Sequence, residues 1–184
     1  MTQVAATVAG VPLGVAEVDE REDRLRRSPQ TAALPRPGTS EGRQLRRWLT
    51  QLLVSERVVA HQAEVLGIRI TDVTPSEERV LPDTTARLEI GSVAAAVLGS
   101  PQGRALFAHV TDGIDVDDDV VVDYERRNPG RFSAPALLAE YLRGTARRRA
   151  FRLWLDKRRA DLVWLAPGYE HPGDPRQPDN VHRH

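Results

Sequence analysis

The chain contains no cysteine, and this absence excludes several kinds of chemistry at once. Without thiols there is no disulfide framework, no thiolate zinc site and no cysteine nucleophile. Aromatic residues are also scarce, at 5% of 184 residues, although a hydrophobic content of 40% is enough for a core. Neither sign of charge is in excess, since Lys+Arg and Asp+Glu each total 26. A polyanionic partner such as nucleic acid is therefore not expected.

The sequence also lacks the segments that mark export or membrane insertion. Its start, "MTQVAATVAGVPLG", has neither a basic region nor the apolar run of a signal peptide. No later segment approaches the roughly 20 apolar residues that span a bilayer. These absences predict a soluble, cytoplasmic protein without membrane contact.

Known motifs for phosphate binding and serine hydrolysis are missing as well. The glycine-containing stretches "GSPQG" and "PGTSEG" have neither the P-loop lysine nor the Rossmann glycine spacing. No G-x-S-x-G elbow occurs. The sequence therefore gives no support for dinucleotide chemistry or classical nucleophilic hydrolysis.

Helical periodicity dominates what is present and predicts a mainly α fold. A long helix is expected from Ser40 to Leu66, ended by Gly67, because apolar residues recur there at helical spacing. A last helical region should run from Ser133 to about Leu165, with a break possible at Gly144. Residues 3–18 alternate loosely around glycine and proline, which predicts a short strand or hairpin followed by a polar turn. We expect one core over residues 1–165, with a loop at 28–40.

The last helical region carries both apolar and basic residues. Its apolar arc includes Phe151, Trp154 and Leu155, and the predicted opposite face holds four arginines, Arg148, Arg149, Arg152 and Arg159. Because Trp48 and Trp154 each lie on the apolar side of a helix, both should be largely buried. The basic residues predict a solvated face paired with acidic neighbours rather than a nucleic-acid site.

The last segment, residues 166–184, which we call the strap, is the strongest candidate for a metal or catalytic site. We expect it to lie against the core. Its "EHPGDPRQPDNVHRH" combines histidines with carboxylates, which suits zinc or another divalent transition metal. The His182-x-His184 spacing could present both rings to one ion, and His171 would join them if the loop folds back. Asp174 and Asp179 are the nearest oxygen donors. The alternative is a proline-rich end whose histidines only make hydrogen bonds.

Four segments, taken in order, resemble a known family: "VAATVAGVPLGVAEVDERE", "RQLRRWLTQLLVSERVVAHQAEVLGI", "VDDDVVVDYERRNPGRF" and "RRRAFRLWLDKRRADLVWL". Together they are similar to the chaperone core of SurA/parvulin-type peptidyl-prolyl isomerases. In that family an isomerase domain follows the "NPxxF" helix. Here Phe132 leads almost directly into "SAPALLAEYL", so we expect no isomerase activity.

Two functions from different classes follow. The resemblance implies a chaperone-like binding protein that cradles a peptide or other apolar segment, including an apolar small-molecule or carrier-bound ligand. The alternative is a small divalent-metal-dependent enzyme built on the same scaffold. In the enzyme hypothesis the strap forms the site, and Glu170 or Asp174 supplies acid/base chemistry.

Overall fold

The computed structural model describes residues 3–176, which form eight α-helices and one small sheet. The strands are β1 (Val4–Val8), β2 (Val11–Gly14) and β3 (Val163–Leu165). The helices are α1 (Val15–Arg26), α2 (Ser40–Val65), α3 (Glu77–Val80), α4 (Thr84–Ile90), α5 (Ser92–Leu98), α6 (Pro101–Val110), α7 (Asp118–Arg127) and α8 (Pro135–Leu162). The prediction of a mainly helical fold with an N-terminal strand or hairpin is confirmed.

The sheet begins with a hairpin whose turn requires an unusual backbone. Ala9 and Gly10 both have positive φ, 48° and 80°, as the two-residue turns that join twisted strands demand. β1 pairs antiparallel with β2 on one side and with β3 on the other. The third strand therefore brings the chain back beside its own start, with Leu165 opposite Ala6.

A helix, rather than the expected polar turn, follows the hairpin. α1 starts directly after Gly14, whose amide donates to Glu17 Oε1 at 2.9 Å. Its sequence has few apolar residues, so the periodicity that predicts helices is weak there. Charged pairs within the helix compensate, including Arg26 with Glu22 four residues before it. The expected turn was wrong because these local charge contacts carry no hydrophobic pattern.

The long helix α2 begins and ends for identifiable reasons. Ser40 opens it, as predicted, and it ends at Val65, one residue before the expected end. Gly67 takes φ +66°, and the Ile68 amide reaches back to the Ala63 carbonyl at 2.8 Å. This left-handed glycine end satisfies carbonyls that the last turn would otherwise leave without donors.

The chain divides into two compact units. Of the described residues, the first comprises those up to His61 and those from Arg158 onward, and the second comprises Gln62–Lys157. Buried side chains of the first unit include Leu13, Val18 and Leu49. Those of the second unit include the following: Ile90, Leu98, Leu106, Phe107, Leu138, Phe151 and Leu155.

The expectation that both helical tryptophans are largely buried was wrong. Trp48 and Trp154 are only half-buried, because the most buried positions of their helices belong to neighbouring residues such as Leu49 and Phe151. Nor does α8 break at Gly144: the helix is continuous. A Cβ at this glycine would lie 3.2 Å from the Arg148 guanidinium, so the absent side chain leaves room for the arginine instead of ending the helix.

Candidate functional site

The described part of the strap, residues 166–176, belongs to the first unit and turns back against β1 and α2. The Ala166 amide donates to the Ala5 carbonyl at 2.9 Å, extending the pairing that β3 begins. Gly168, at φ +91°, makes the turn. The Tyr169 carbonyl then accepts from Gln51 Nε2 on α2 at 3.1 Å. Hydrogen bonds to backbone atoms therefore hold this stretch in place.

Glu170, His171 and Asp174, the predicted strap residues that the structure describes, each accept a hydrogen bond from their own loop. Glu170 Oε2 accepts from the Gly168 amide at 2.8 Å. His171 is exposed, and its Nδ1 accepts from the Gly173 amide at 3.0 Å. Asp174 accepts from the Arg176 guanidinium, with the closest contact at 2.7 Å, and from the Arg176 amide.

The contact with Arg176 favours the ionised form of the Asp174 carboxyl group. Hydrogen bonds from the Arg176 side chain and backbone lower the pKa of Asp174 from 3.8 to about 2. At neutral pH Asp174 is therefore a carboxylate that only accepts hydrogen bonds. This makes it a poor general acid, although it remains an anionic contact for a cation.

Of the four predicted metal ligands, the structure describes only His171. Asp179, His182 and His184 lie outside the described residues. Among residues 3–176, no three His, Asp or Glu side chains are grouped so that they could hold a metal ion. The convergence of His171 with the two later histidines thus remains a prediction.

Arg148 is the unexpected feature of the second unit. The sequence placed it with Arg149 and Arg152 on a solvated face, and those two are exposed as expected, but Arg148 is 5% exposed. The expectation for Arg148 was wrong because Gly144, one turn earlier on α8, opens space for its guanidinium. Helical spacing alone does not distinguish a buried arginine from an exposed one. The sequence feature that could have indicated the burial of Arg148 is Gly144, four residues before it.

Three cavities in the second unit have Arg148 in their walls. We call the first the arginine cavity; it measures about 420 Å³ and is lined chiefly by Glu89, Ile90, Thr145, Arg148, Arg152 and Leu153. The aromatic cavity measures about 480 Å³, and its wall includes Pro82, Phe132, Leu137, Tyr141, Gly144 and Arg148. A smaller space of about 130 Å³ lies beside Phe107 and Arg147. Both larger cavities fall within the usual range of ligand pockets.

Half-buried aromatic side chains form one wall of the aromatic cavity. The rings of Phe132 and Tyr141 have centroids 5.1 Å apart, and Tyr124 lies 6.3 Å from Tyr141. The Arg131 guanidinium stands 5.5 Å from the Tyr141 ring centre, within range of a cation–π contact. These contacts hold the aromatic wall in a defined arrangement, and Leu137 beside it is 50% exposed.

Comparisons with known proteins give little functional information. A family of unknown function (DUF7158) matches residues 4–41, which comprise the hairpin, α1 and the approach to α2. No curated protein and no solved structure matches the chain. Within residues 3–176, no helix has the length and apolar character needed to cross a membrane.

Proposed function

We propose that the chain is a chaperone-like binding protein, without prolyl-isomerase activity, that holds a peptide segment of a partner in the aromatic cavity. The observation that carries this proposal is the apolar wall formed by Phe132, Leu137 and Tyr141 around about 480 Å³. Leu137 offers apolar surface to solvent, and covering it would be favourable. The resemblance to SurA-type chaperone cores supports the same use.

The charges around this cavity favour a peptide over a purely hydrocarbon ligand. Its wall carries both acidic and basic groups, with carboxylates from Glu78, Asp83 and Glu140 and guanidiniums from Arg79 and Arg148. Donors and acceptors around an apolar floor match a peptide, whose backbone offers both N–H and C=O groups beside an apolar side chain.

A short peptide tests the proposal directly. The probe is an acetylated, amidated peptide of about ten residues with a central Phe-Leu pair among Ser and Gly, titrated by fluorescence anisotropy. Leu137→Asp should weaken binding about tenfold or more, because a buried leucine contact is worth roughly 1.5–3 kcal/mol. Leu88→Asp is the matched control, since Leu88 is 77% exposed and belongs to none of the three cavities described above.

Three results would contradict the peptide proposal. The first is no saturable binding of the probe, and the second is equal weakening by Leu137→Asp and Leu88→Asp. The third is self-association on size-exclusion chromatography that only Leu137→Asp abolishes, because the occupant of the cavity would then be a second copy of the chain.

The divalent-metal enzyme is a second proposal, and it rests on the composition of the strap. In favour of it, the Asp174 amide donates to the His171 carbonyl at 2.9 Å, so one turn holds the two residues that carry an imidazole and a carboxylate. His182, His184 and Asp179 would have to complete the site. Metal analysis of the untagged protein tests this proposal without affecting the first.

A further inference from the structure

The Arg148 guanidinium is a buried cation whose N–H donors are only partly matched by acceptors. Its Nη1 donates to the Val80 carbonyl at 3.4 Å, and its Nη2 donates to Thr145 Oγ1 at 3.1 Å. Its Nε is buried and makes no hydrogen bond to any residue in the described range. A guanidinium carries five N–H donors, so much of its capacity is unused.

Glu89 is the acidic residue beside Arg148, but the two side chains do not form a hydrogen bond. Glu89 Oε2 lies 3.8 Å from Arg148 Nη2, beyond hydrogen-bond range, and the Glu89 side chain is 42% exposed. A buried charge is stable only when it is closely paired and hydrogen-bonded. This pairing is loose, and the glutamate can move into solvent. The site is therefore suited to a closer anion that replaces Glu89.

The arginine cavity beside this guanidinium has the size and lining for an organic ligand. Besides Arg148 its wall includes Arg149 and Arg152, so three positive charges face the single negative charge of Glu89. Ile90 is buried and Leu153 is 59% exposed, and both give the cavity apolar surface. The lining thus combines an excess of positive charge with an apolar wall.

We propose that the arginine cavity binds an organic carboxylate that carries a short apolar chain. The carboxylate receives hydrogen bonds from the Arg148 guanidinium, whose planar fork matches its two oxygens, while Glu89 swings out. The apolar chain lies against Ile90 and Leu153. Inorganic phosphate is disfavoured because it has no apolar chain to cover Ile90 and Leu153. This proposal concerns a different cavity from the peptide proposal and does not depend on it.

Octanoate is the first probe, measured by isothermal titration calorimetry with the full chain. We expect saturable binding, with 1-octanol at least about tenfold weaker because it lacks the charge, and inorganic phosphate at least about tenfold weaker because it lacks the chain. Acetyl-Leu-Leu with a free C-terminus distinguishes a peptide carboxylate from a free acid as the source. Equal binding of octanoate and octanol would overturn the proposal, as would the absence of octanoate binding or phosphate binding as tight as octanoate.

Glu89→Gln gives the sharpest test, because it should improve binding. The substitution removes the carboxylate that competes for Arg148. The free protein should therefore melt at a lower temperature, while octanoate should bind more tightly and raise the melting temperature further than in the wild type. A free protein of unchanged stability together with unchanged or weaker octanoate binding would refute the competition between the two carboxylates and, with it, the site.

Two further substitutions test the walls of the cavity. Arg148→Met should abolish the preference for octanoate over octanol. If that variant does not fold, Leu153→Asp decides the matter, since Leu153 is exposed and the new charge repels a carboxylate. Leu153→Asp should weaken octanoate at least about tenfold, and Leu88→Asp should leave it unchanged. Equal binding by the wild type and Leu153→Asp would place octanoate elsewhere and overturn the assignment.

Discussion

Phe151→Ala should be among the most damaging single changes to the second unit. The side chain has no exposed surface, and its ring meets Phe107 edge-on, with ring centres 5.4 Å apart. Removing a buried phenylalanine costs about 3–5 kcal/mol, and an aromatic pair adds about 0.5–1.5 kcal/mol. We expect a loss near 4–5 kcal/mol, which is roughly the whole stability of a marginal domain. Phe151→Leu keeps most of the volume and should cost less than about 1.5 kcal/mol.

Urea unfolding followed by tryptophan fluorescence can isolate this unit. Trp154 is the only tryptophan within Gln62–Lys157, so replacing Trp48 and Trp164 with Phe leaves a signal from the second unit alone. Leu153→Ala is the control on the same helix; because Leu153 is 59% exposed, its loss should stay within about 0.5 kcal/mol. A loss below about 2 kcal/mol for Phe151→Ala, or equal losses for both variants, would refute this assignment of the core.

The strap supports two further predictions. The carboxyl of Asp174 should titrate near pH 2 by NMR, and Arg176→Ala should move its pKa upward toward 3.8; an unchanged pKa in the variant would exclude Arg176 as the cause. Because the folded pKa is depressed, this contact stabilises the fold above about pH 4, and its contribution is lost as pH falls toward 2. If the metal proposal holds, Zn²⁺ should raise the melting temperature, and replacing both His182 and His184 with Ala should abolish the shift; a shift that survives the double substitution would place the ion elsewhere.

The sequence predicted the long elements well because their signals are strong and local. α2 has a serine at its start, a long apolar stripe and a glycine at its end, and these fixed its limits to within one residue. Apolar periodicity missed α1 because the helix has few apolar residues, and charge pairs across elements as well as within the helix leave no hydrophobic pattern. Arg46 on α2 forms such pairs: it contacts Asp19 at 2.6 Å and Glu22 at 2.8 Å. Burial disfavours the charge of Arg46, but these bonds and one with Tyr169 more than offset it, so its pKa is raised.

The candidate site was harder to predict because burial of a charge depends on three-dimensional packing. Arg148, Arg149 and Arg152 look alike in sequence, and spacing assigned them all to one solvated face. The contact of its guanidinium with the Val80 carbonyl separates Arg148 from the other two, whereas Arg152 also donates to the Glu89 carbonyl and is nevertheless exposed. Helical spacing also overestimated the burial of the tryptophans. Spacing identifies the apolar side of a helix, but it does not say which residue on that side packs deepest.

The position of Arg148 has a consequence for the two proposals taken together. Arg148 lines both the arginine cavity and the aromatic cavity, so the two sites share one side chain. A carboxylate bound to its guanidinium would also change the contacts that the same side chain offers to a peptide in the aromatic cavity. The two ligands must then affect each other equally. If the carboxylate changes the affinity for the peptide by some factor, the peptide changes the affinity for the carboxylate by the same factor. Gly144 leaves room for this side chain, because a Cβ at that position would lie 3.2 Å from the Arg148 guanidinium and would require it to shift slightly.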